Sequence, residues 1–283
     1  MCFTKRQKNN FDDENKEAGN GIKKTTDEKK IKPPPVSEPE TAPTNTTVPA
    51  AATNTMSSPK VAIVIYSMYG HIAKLAESVK SGIEAAGGSV KIFQIPETLS
   101  QDILTMMHAP AKPDYPLIDA AKLTEFDAFL FGIPTRYGNF PAQWKAFWDS
   151  TGGLWGQGAL SGKYVSVFFS TASLGGGQES TAMNAMSTFV HHGMIFVPLG
   201  YAHAFSQLTD LSEVRGGMCF SFALLSSDLS SSFETRTRDY SGSAWGAGTV
   251  AGPKGERQPS ALELEIASIQ GKHFYQTVSK VKF

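Results

Sequence analysis

Residues 61–86 read VAIVIYSMYGHIAKLAESVKSGIEAA, and this stretch decides the fold of the chain. Its first six residues, 61–66, have no polar interruption, which is typical of a strand buried on both faces of a parallel sheet. After residue 71 the apolar spacing becomes helical and stops at two glycines, 87 and 88. The apolar face of this predicted helix consists of Ile72, Leu75, Ala76, Val79 and Ile83.

The short loop between this strand and helix, residues 67–71, has the character of an anion site. A strand–loop–helix unit directs unpaired backbone N–H groups and the positive end of the helix dipole at whatever lies over the loop. Backbone and hydroxyl groups can bind a phosphate there without Lys or Arg. The alternative is an ordinary turn in which Ser67 caps the helix, and this stretch alone leaves both interpretations open.

The composition narrows the class of protein. With 283 residues and 41% apolar content, the chain can form one large or two small domains around a core. Its 26 basic and 26 acidic residues balance, so net charge favours neither nucleic acid nor an anionic membrane surface as partner. Cys2 and Cys219 offer neither a disulfide framework nor metal-ligand spacing. Without a long apolar run or signal-peptide pattern, we expect a cytoplasmic protein.

Residues 1–58 differ from the remainder, since they are rich in charged residues, Asn, Thr and Pro. Such a segment cannot bury enough apolar surface to offset its ordering entropy, so we expect a disordered tail followed by one folded domain, 59–283. Cys2 is followed by basic residues at positions 5, 6 and 8. S-acylation of Cys2 could therefore hold the protein peripherally at the plasma membrane. An unmodified tail is the alternative.

From residue 60 onward, strand patterns alternate with helical ones. This alternation predicts a parallel sheet with helices on both faces. The four further predicted strands are residues 90–95, 128–133, 164–169 and 194–198, and the main predicted helices after the first are residues 141–149, 179–192 and 259–280. Ligands of such sheets bind beyond the carboxyl ends of the strands. The loops after strands one, three and four should therefore converge on one site.

Two of these loops have unusual sequences. Residues 132–141 read GIPTRYGNFP, which lets the backbone approach a flat ring closely and lets Tyr137 lie against it. Residues 170–178 read STASLGGGQ, a glycine-rich turn that opens a helix and can donate N–H groups to carbonyl oxygens or an anion.

These residues resemble the WrbA-type NAD(P)H:quinone oxidoreductases, flavodoxin-like FMN proteins that include fungal members. Six segments carry the resemblance, in family order: residues 67–72, 134–139, 151–155, 175–179, 191–194 and 257–260. The resemblance implies a flavodoxin-like, doubly wound α/β fold with a five-stranded parallel sheet of order 2-1-3-4-5. It also implies FMN as cofactor, NADH or NADPH as electron donor, and a homotetramer built as a dimer of dimers.

The resemblance assigns the implied cofactor contacts to three groups of residues and one histidine. The FMN phosphate would be held by Ser67, Met68, Tyr69, Gly70, His71 and Ile72. The isoalloxazine ring would be flanked by Thr135, Arg136 and Tyr137. The polar edge of the ring would be bound by Ser170, Thr171, Ala172, Ser173, Leu174 and Gly175, in a loop about one residue longer than in bacterial relatives. His191 would complete the site across a subunit contact.

Two aromatic residues are implied to contact substrates, Tyr69 at the nicotinamide position and Trp155 at the quinone position. The resemblance implies neither a dedicated catalytic acid or base nor a metal. Each motif residue also has a simpler interpretation. Trp155 could be a core aromatic after a Gly-Gly turn, His191 could interact with the end of its helix, and Arg136 could be a surface ion-pair partner.

The implied activity is two-electron reduction of quinones to hydroquinones by NAD(P)H, with FMN as the carrier and ping-pong kinetics. Two-electron transfer avoids the quinone radical that reduces oxygen, which implies a role in oxidative-stress protection. The cofactor supplies the chemistry, and the protein positions the rings. The alternative function is a non-enzymatic, membrane-associated flavodoxin-like protein that acts in assembly or signalling.

Residues 218–242 depart from the family pattern, as a Ser-rich stretch between Arg-Gly-Gly and Ser-Ala-Trp-Gly. One hypothesis is a retained intron, because Gly217-Met218-Cys219 can be encoded with a GTATGT donor and Ser241-Gly242 with a CAG acceptor. The alternative is a surface insertion, which is tolerable because lengthening a loop costs little.

Overall fold

We describe the protein from a computed structural model, which covers residues 58–210, 212–216 and 243–283. The predictions for the tail, including Cys2, and for the insertion 218–242 lie outside these residues. Within them the chain forms an α/β unit of six strands and seven α-helices.

The strands and helices alternate from the start of the described part. The strands are β1 (Val61–Ile65), β2 (Val90–Gln94), β3 (Ala128–Pro134), β4 (Tyr164–Thr171), β5 (Ile195–Phe196) and β6 (Gly248–Val250). The helices are α1 (His71–Ala85), α2 (Gln101–Met106), α3 (Ala142–Asp149), α4 (Gly152–Gln157), α5 (Gln178–His191), α6 (Phe205–Thr209) and α7 (Ala261–Val278), with a 3₁₀ turn at Ala121–Glu125.

The sheet is parallel and follows the order β2-β1-β3-β4-β5, which confirms the predicted flavodoxin-like topology. Val61 of β1 pairs with Val90 of β2 on one side and with Ala128 of β3 on the other. The carboxyl ends of these strands therefore meet at one edge, as the alternating pattern requires.

The outer edge of β4 differs from the prediction. The fifth strand is only Ile195–Phe196, shorter than residues 194–198, and it pairs with the first two residues of β4. A sixth strand, Gly248–Val250, pairs in parallel with Phe169–Thr171 at the other end of β4. Two short segments thus share the edge that one strand was expected to cover. Three residues are too few to show a periodic pattern, so the sequence prediction missed β6.

Two apolar layers cover the two faces of the sheet, and successive residues of β1 point alternately into one layer and the other. Ile63 lies in the layer beneath α1 and α7, whereas Val64 lies in the layer beneath α3 and α5. The helix α1 buries all five predicted core positions and ends at Ala85, and Gly87 follows its C-cap residue Ala86 at φ +84°. Helices α1 and α7 approach so closely that a Cβ on Gly82 or Gly271 would collide with the backbone of the facing helix.

We find in the described part no helix with the length and apolar content that crossing a membrane requires.

Candidate active site

A cavity of about 690 Å³ opens at the carboxyl edge of the sheet. The three loops predicted to converge all contribute to its wall, and a fourth segment, residues 251–255, closes it. The lining residues are Ser67, Met68, Tyr69, His71, Ile72, Pro134, Thr135, Arg136, Tyr137, Ser170, Thr171, Ala172, Ser173, Gly176, Ala251, Gly252, Pro253, Lys254 and Gly255.

The loop after β1 leaves the start of α1 free for a ligand. The N-cap residue is Gly70 at φ +88°, so the helix receives no side-chain cap. Ser67 therefore does not cap the helix, which contradicts the alternative considered for it, and it lies instead on the cavity wall. The backbone N–H groups of the first turn and the positive end of the α1 dipole favour an anion at this end of the cavity.

The ring of His71 fixes this loop to a distant part of the chain. Its Nε2 lies 2.7 Å from the carbonyl oxygen of Arg257. A carbonyl oxygen can only accept, so Nε2 carries the hydrogen and donates it. In the next turn of α1, the Lys74 Nζ donates to Oε1 of Gln258 at 2.6 Å. These two hydrogen bonds hold residues 257–258 against the start of α1.

The loop after β3 turns back through a two-residue hairpin. The N–H groups of Arg136 and Asn139 each donate to the other's carbonyl oxygen at 2.9 Å, and Tyr137 and Gly138 between them both have positive φ, +53° and +71°. Positive φ at both central residues is the pattern of a type I′ turn. The turn holds the Tyr137 ring fully exposed at the rim of the cavity. A rigid, solvated aromatic ring in this position can stack on a flat ligand.

Arg136 and Thr135 extend the same wall. The Arg136 Nη1 donates to the carbonyl oxygen of Thr135 at 2.9 Å, and within the described residues Arg136 forms no ion pair. This arrangement does not match the surface ion pair considered as its alternative. The Thr135 N–H donates to the Ser170 carbonyl oxygen at 2.9 Å, which joins the loops after β3 and β4.

The loop after β4 is braced by its own hydrogen bonds. The Thr171 hydroxyl donates to the carbonyl oxygen of Ser173 at 2.9 Å, and the Gly176 N–H donates to the same oxygen at 3.1 Å. The Gln178 Nε2 donates to the Thr171 hydroxyl and to the Thr249 carbonyl oxygen, which ties the loop to β6. Predicted members Leu174 and Gly175 lie in this loop without lining the cavity.

The fourth wall segment, residues 251–255, was missed by the sequence prediction because it follows the undetected strand β6. Since β6 runs parallel to β4, its carboxyl end reaches the same edge as the other loops. The Ala251 N–H donates to the Thr171 carbonyl oxygen at 2.8 Å. The signal in the sequence is Thr249-Val250, a β-branched pair that follows Gly248 and precedes Ala251-Gly252-Pro253.

A buried carboxylate, Glu263, anchors this fourth segment. Its side chain is fully buried and accepts hydrogen bonds from the Gly216 N–H, the Thr249 hydroxyl, the Ser260 N–H and the Arg257 Nη1, at 2.7 to 3.1 Å. Arg257 also donates to the carbonyl oxygens of Val250 and Val214. The Ser260 hydroxyl and Glu263 together form the capping box of α7.

A second cavity of about 670 Å³ shares Met68, Arg136 and Tyr137 with the first. Its other walls come from the segment before and after α2 and from the start of α3. Its remaining lining residues are Leu99, Met107, Asn139, Phe140, Pro141, Ala142, Gln143 and Lys145. The Tyr69 hydroxyl, on the wall of the first cavity, donates to the carbonyl oxygen of Met107, on the wall of the second, at 3.3 Å.

Glu97 holds the segment that leads into α2 against the sheet. Its carboxylate accepts from the Tyr66 hydroxyl at 3.0 Å, from Gln143 Nε2 at 2.9 Å and from Lys112. Burial raises the pKa of this carboxyl, but the bonds from Lys112, from the backbone N–H groups at positions 99 and 98 and from Gln143 outweigh it and lower the pKa to about 2. Burial and the neighbouring Glu97 charge raise the pKa of Tyr66, which stays a neutral donor.

Besides Leu174 and Gly175, three further predicted residues lie off the cavity wall. Gly70 shapes the first loop without lining the cavity. Trp155 lies on α4 with 59% of its surface exposed, which contradicts its alternative as a core aromatic. His191 lies at the end of α5, where Nδ1 donates to the Ser187 carbonyl oxygen at 2.6 Å, the helix-end interaction of its alternative. The flavin contact of His191 across a subunit boundary and the quinone contact of Trp155 both stay predictions.

The cavity fits FMN in size and chemistry. Its volume lies within the range of about 300–1,000 Å³ of small-molecule sites. The wall carries two cations, Arg136 and Lys254, and no carboxylate among the described residues. A phosphate matches the uncapped start of α1, and a flat ring system matches the exposed Tyr137 beside the hydroxyl-rich loop after β4.

Comparison with known families agrees with this geometry. The family described as "NADPH-dependent FMN reductase" matches residues 59–207. The chain belongs to this family. This assignment confirms the predicted FMN-linked oxidoreductase class.

Two curated relatives and one solved structure show how far the similarity extends. The chain is 58% identical over 223 residues to "NAD(P)H quinone oxidoreductase PST3" of Candida albicans, covering 79% of this chain and all of that protein. It is 54% identical over 222 residues to "Protoplast secreted protein 2" of Saccharomyces cerevisiae, covering 78% and 99%. The crystal structure of a flavodoxin, WrbA-like protein from Agrobacterium tumefaciens is 20% identical and aligns with a TM-score of 0.49, covering 80% of this chain and all of that one.

Proposed function

We propose that this protein is an FMN-dependent NAD(P)H:quinone oxidoreductase that reduces quinones to hydroquinones by two electrons. The observation that carries the proposal is the cavity at the carboxyl edge of the sheet. An uncapped helix start, an exposed aromatic ring and two cations contribute to its wall, and none of the described residues that line it is a carboxylate. The quinone oxidoreductase named among the relatives supports the same activity.

Each wall of the cavity has a distinct task in this proposal. Backbone groups around Gly70 hold the phosphate, and Thr135, Arg136 and Tyr137 flank the ring. The loop after β4 binds the polar edge of the ring through its hydroxyl and N–H groups. FMN, when bound, supplies the chemistry: it accepts a hydride from NAD(P)H and passes two electrons to the quinone. The protein contributes position and exclusion of water.

Both substrates would exchange electrons with the same FMN in this one cavity, so the proposal includes ping-pong kinetics. The oxidised dinucleotide leaves before the quinone binds. Because the reduction takes two electrons, the product is a hydroquinone rather than a radical that reduces oxygen, which supports a role in oxidative-stress protection.

Purification and steady-state kinetics test the proposal. We expect a yellow protein, or one that becomes yellow with added FMN, which oxidises NADPH or NADH only when benzoquinone is present. Double-reciprocal plots at several benzoquinone concentrations should be parallel. A protein that takes up no FMN, or that oxidises NAD(P)H at an unchanged rate without quinone, contradicts the proposal. Intersecting lines contradict the ping-pong order alone.

Assembly and location are part of the proposal. A homotetramer would bring His191 of a neighbouring subunit toward the cavity, and light scattering of the FMN-loaded protein measures the oligomeric state. A cytoplasmic protein held peripherally at the membrane through Cys2 should shift to the soluble fraction in a Cys2→Ser variant. An unchanged distribution ends the acylation proposal.

A further inference from the structure

Lys254 is a cation on the cavity wall whose ammonium group has no partner among the residues that the structure describes. Lys254 lines the cavity, and within the described part of the chain its Nζ forms neither a hydrogen bond nor an ion pair. The nearest acid in sequence, Glu256, accepts from the backbone N–H of Lys254 at 3.0 Å and does not line the cavity. The other cation on the wall, Arg136, donates to the Thr135 carbonyl oxygen.

The fold places Lys254 on the side of the cavity where α1 begins. Three residues further along the chain, the Arg257 carbonyl oxygen accepts from His71, and Gln258 accepts from Lys74. The Arg257 N–H donates back to the carbonyl oxygen of Ala251, which closes residues 251–257 into a compact loop. This loop is therefore held against the first turn of α1, and its lysine joins a helix start that already favours an anion.

We propose that Lys254 recognises a phosphate group in the cavity. This inference rests on the proposed function, because that function brings two phosphate ligands to the site: the phosphate of FMN and the 2′-phosphate that distinguishes NADPH from NADH. A phosphate dianion is the chemistry common to both. An ammonium group without a competing carboxylate on the wall provides charge for either, in addition to the backbone groups of the loop after β1.

The first experiment separates the cofactor phosphate from the rest of the flavin. Apoprotein of the wild type and of Lys254→Gln is titrated with FMN and with riboflavin, which lacks the phosphate, and flavin fluorescence is followed. If the cofactor phosphate is the ligand, the dissociation constant for FMN rises about 5- to 30-fold in Lys254→Gln, the effect of one charge-assisted bond. Riboflavin affinity stays unchanged.

The second experiment tests the donor phosphate. FMN-loaded wild type and Lys254→Gln are compared by binding of NADP⁺ and NAD⁺, followed as quenching of protein fluorescence, and by kcat/KM with NADPH and NADH. If the donor phosphate is the ligand, affinity for NADP⁺ and kcat/KM for NADPH fall about 5- to 30-fold, and the values for the unphosphorylated pair do not change.

Two further variants sharpen both experiments. Lys254→Arg keeps the charge and should retain most of the wild-type phosphate preference. Lys122→Gln removes a surface lysine that pairs with Glu125 at 2.8 Å, away from the cavity wall, and should behave as wild type. The inference is supported if the preference for the phosphorylated ligand falls in Lys254→Gln and is retained in Lys254→Arg. A change between FMN and riboflavin identifies the cofactor phosphate, and a change between NADPH and NADH identifies the donor phosphate.

Other results overturn the inference. If the wild type binds FMN and NADPH but Lys254→Gln keeps both phosphate preferences, Lys254 does not recognise phosphate, and the proposed function stands. Equal losses for FMN and riboflavin, or for NADPH and NADH, also overturn the inference, because they report a general defect of the loop. A wild type that binds neither FMN nor NADPH overturns the inference together with the proposed function.

Discussion

The His71 Nε2 donates a 2.7 Å hydrogen bond to the carbonyl oxygen of Arg257, a residue 186 positions later in the chain. This bond joins the first turn of α1 to the loop that leads into α7. The start of α1 and the segment before α7 therefore build the same side of the cavity. Ligand binding at that side should depend on how firmly the last part of the chain is docked.

Loss of this bond should weaken cofactor binding. In His71→Ala the Arg257 carbonyl loses its donor and residues 251–258 are less firmly held, so we expect FMN affinity to fall by about 1 kcal/mol, the usual net value of one hydrogen bond. Fluorescence titration of apoprotein measures the change. His71→Gln is the matched control, because the glutamine amide can donate to the same oxygen and should retain more affinity. Equal affinities in wild type and His71→Ala would contradict this role.

Glu263 should be among the most sensitive side chains of the domain. It is fully buried, and its removal leaves Thr249 and two backbone N–H groups without this acceptor and takes the carboxylate partner from Arg257. Breaking a buried pair costs about 3–5 kcal/mol, so Glu263→Ala should lower the free energy of unfolding by roughly 3 kcal/mol. Urea denaturation measures this.

The neighbouring Glu265 provides the control for Glu263. It accepts one bond at 2.7 Å, from Gln207, at the exposed surface of the same helix. Glu265→Ala should change the free energy of unfolding by less than about 0.5 kcal/mol. Similar losses in the two variants would show that Glu263 does not organise a network.

The sequence predicts the centre of the sheet better than its edge. Residues 61–66 are buried on both faces, so nearly every position carries the apolar signal, and strand order follows from the alternation of strands and helices. The short strands β5 and β6 have no such signal. Their positions depend on pairing with opposite ends of β4, a tertiary contact that local patterns do not encode.

The same limit applies to the cavity. The loops after β1, β3 and β4 are recognisable because each follows a predicted strand, and most of their predicted residues lie on the wall. Residues 251–255 follow an undetected strand and join the wall through Glu263 and His71, at separations that no local pattern reveals. His191 and Trp155 came from family resemblance alone, and a single chain leaves them outside the cavity.

Tyr137 should lower the stability of the apoprotein and strengthen FMN binding. Its φ of +53° is unfavourable for a tyrosine by about 1–2 kcal/mol, and its ring is fully exposed. Asparagine tolerates this conformation better, so Tyr137→Asn should raise the unfolding free energy of the apoprotein by about 0.5–1 kcal/mol. Loss of ring stacking should weaken FMN binding by about 1 kcal/mol.

Thermal unfolding of apoprotein and FMN titration measure the two effects of Tyr137→Asn. Tyr201→Asn serves as control, since Tyr201 is also exposed but has no positive φ and lies off the cavity wall. It should change neither quantity in the direction expected for Tyr137. A less stable Tyr137→Asn apoprotein would show that the turn is not strained.

Glu97 should make the free energy of unfolding depend on pH in the acidic range. Its pKa is lowered from the ordinary carboxyl value of about 4.5 to about 2 in the folded protein, so its ionised form stabilises the fold fully above about pH 4.5. This contribution is lost as the pH falls from about 4.5 toward 2. Glu97→Gln lacks it at every pH. The wild type should therefore exceed the variant by roughly 2 kcal/mol at pH 7, and the difference should shrink toward zero near pH 2.

Urea denaturation of wild type and Glu97→Gln across this pH range measures the difference. Glu125→Gln removes a carboxylate with 56% side-chain exposure that pairs with Lys122, and it should differ from wild type by less than about 0.5 kcal/mol at each pH. A gap between wild type and Glu97→Gln that stays constant from pH 7 to pH 3 would contradict the lowered pKa.

Residues 218–242 should be dispensable, because the residues that flank them are already joined. Gly216 pairs with Gly248 across an antiparallel bridge, and the Ala244 carbonyl oxygen accepts from the Gly200 N–H at 2.9 Å. Deletion leaves six residues, Gly217 plus 243–247, to connect the bridged pair, where the full chain has the thirty-one residues 217–247. Closing the shorter loop costs about 1–1.5 kcal/mol less entropy.

The protein lacking 218–242 should therefore fold, bind FMN with an affinity within about twofold of the full chain, and unfold at equal or higher urea concentration. Failure of the shortened protein to fold, or loss of FMN binding, would show that the insertion is an integral part of the domain. Sequencing of the transcript separates the two origins of the segment. A main transcript without these codons identifies a retained intron. A main transcript that keeps them identifies a true insertion, which the fold tolerates because the bridge between Gly216 and Gly248 joins the chain on either side of it.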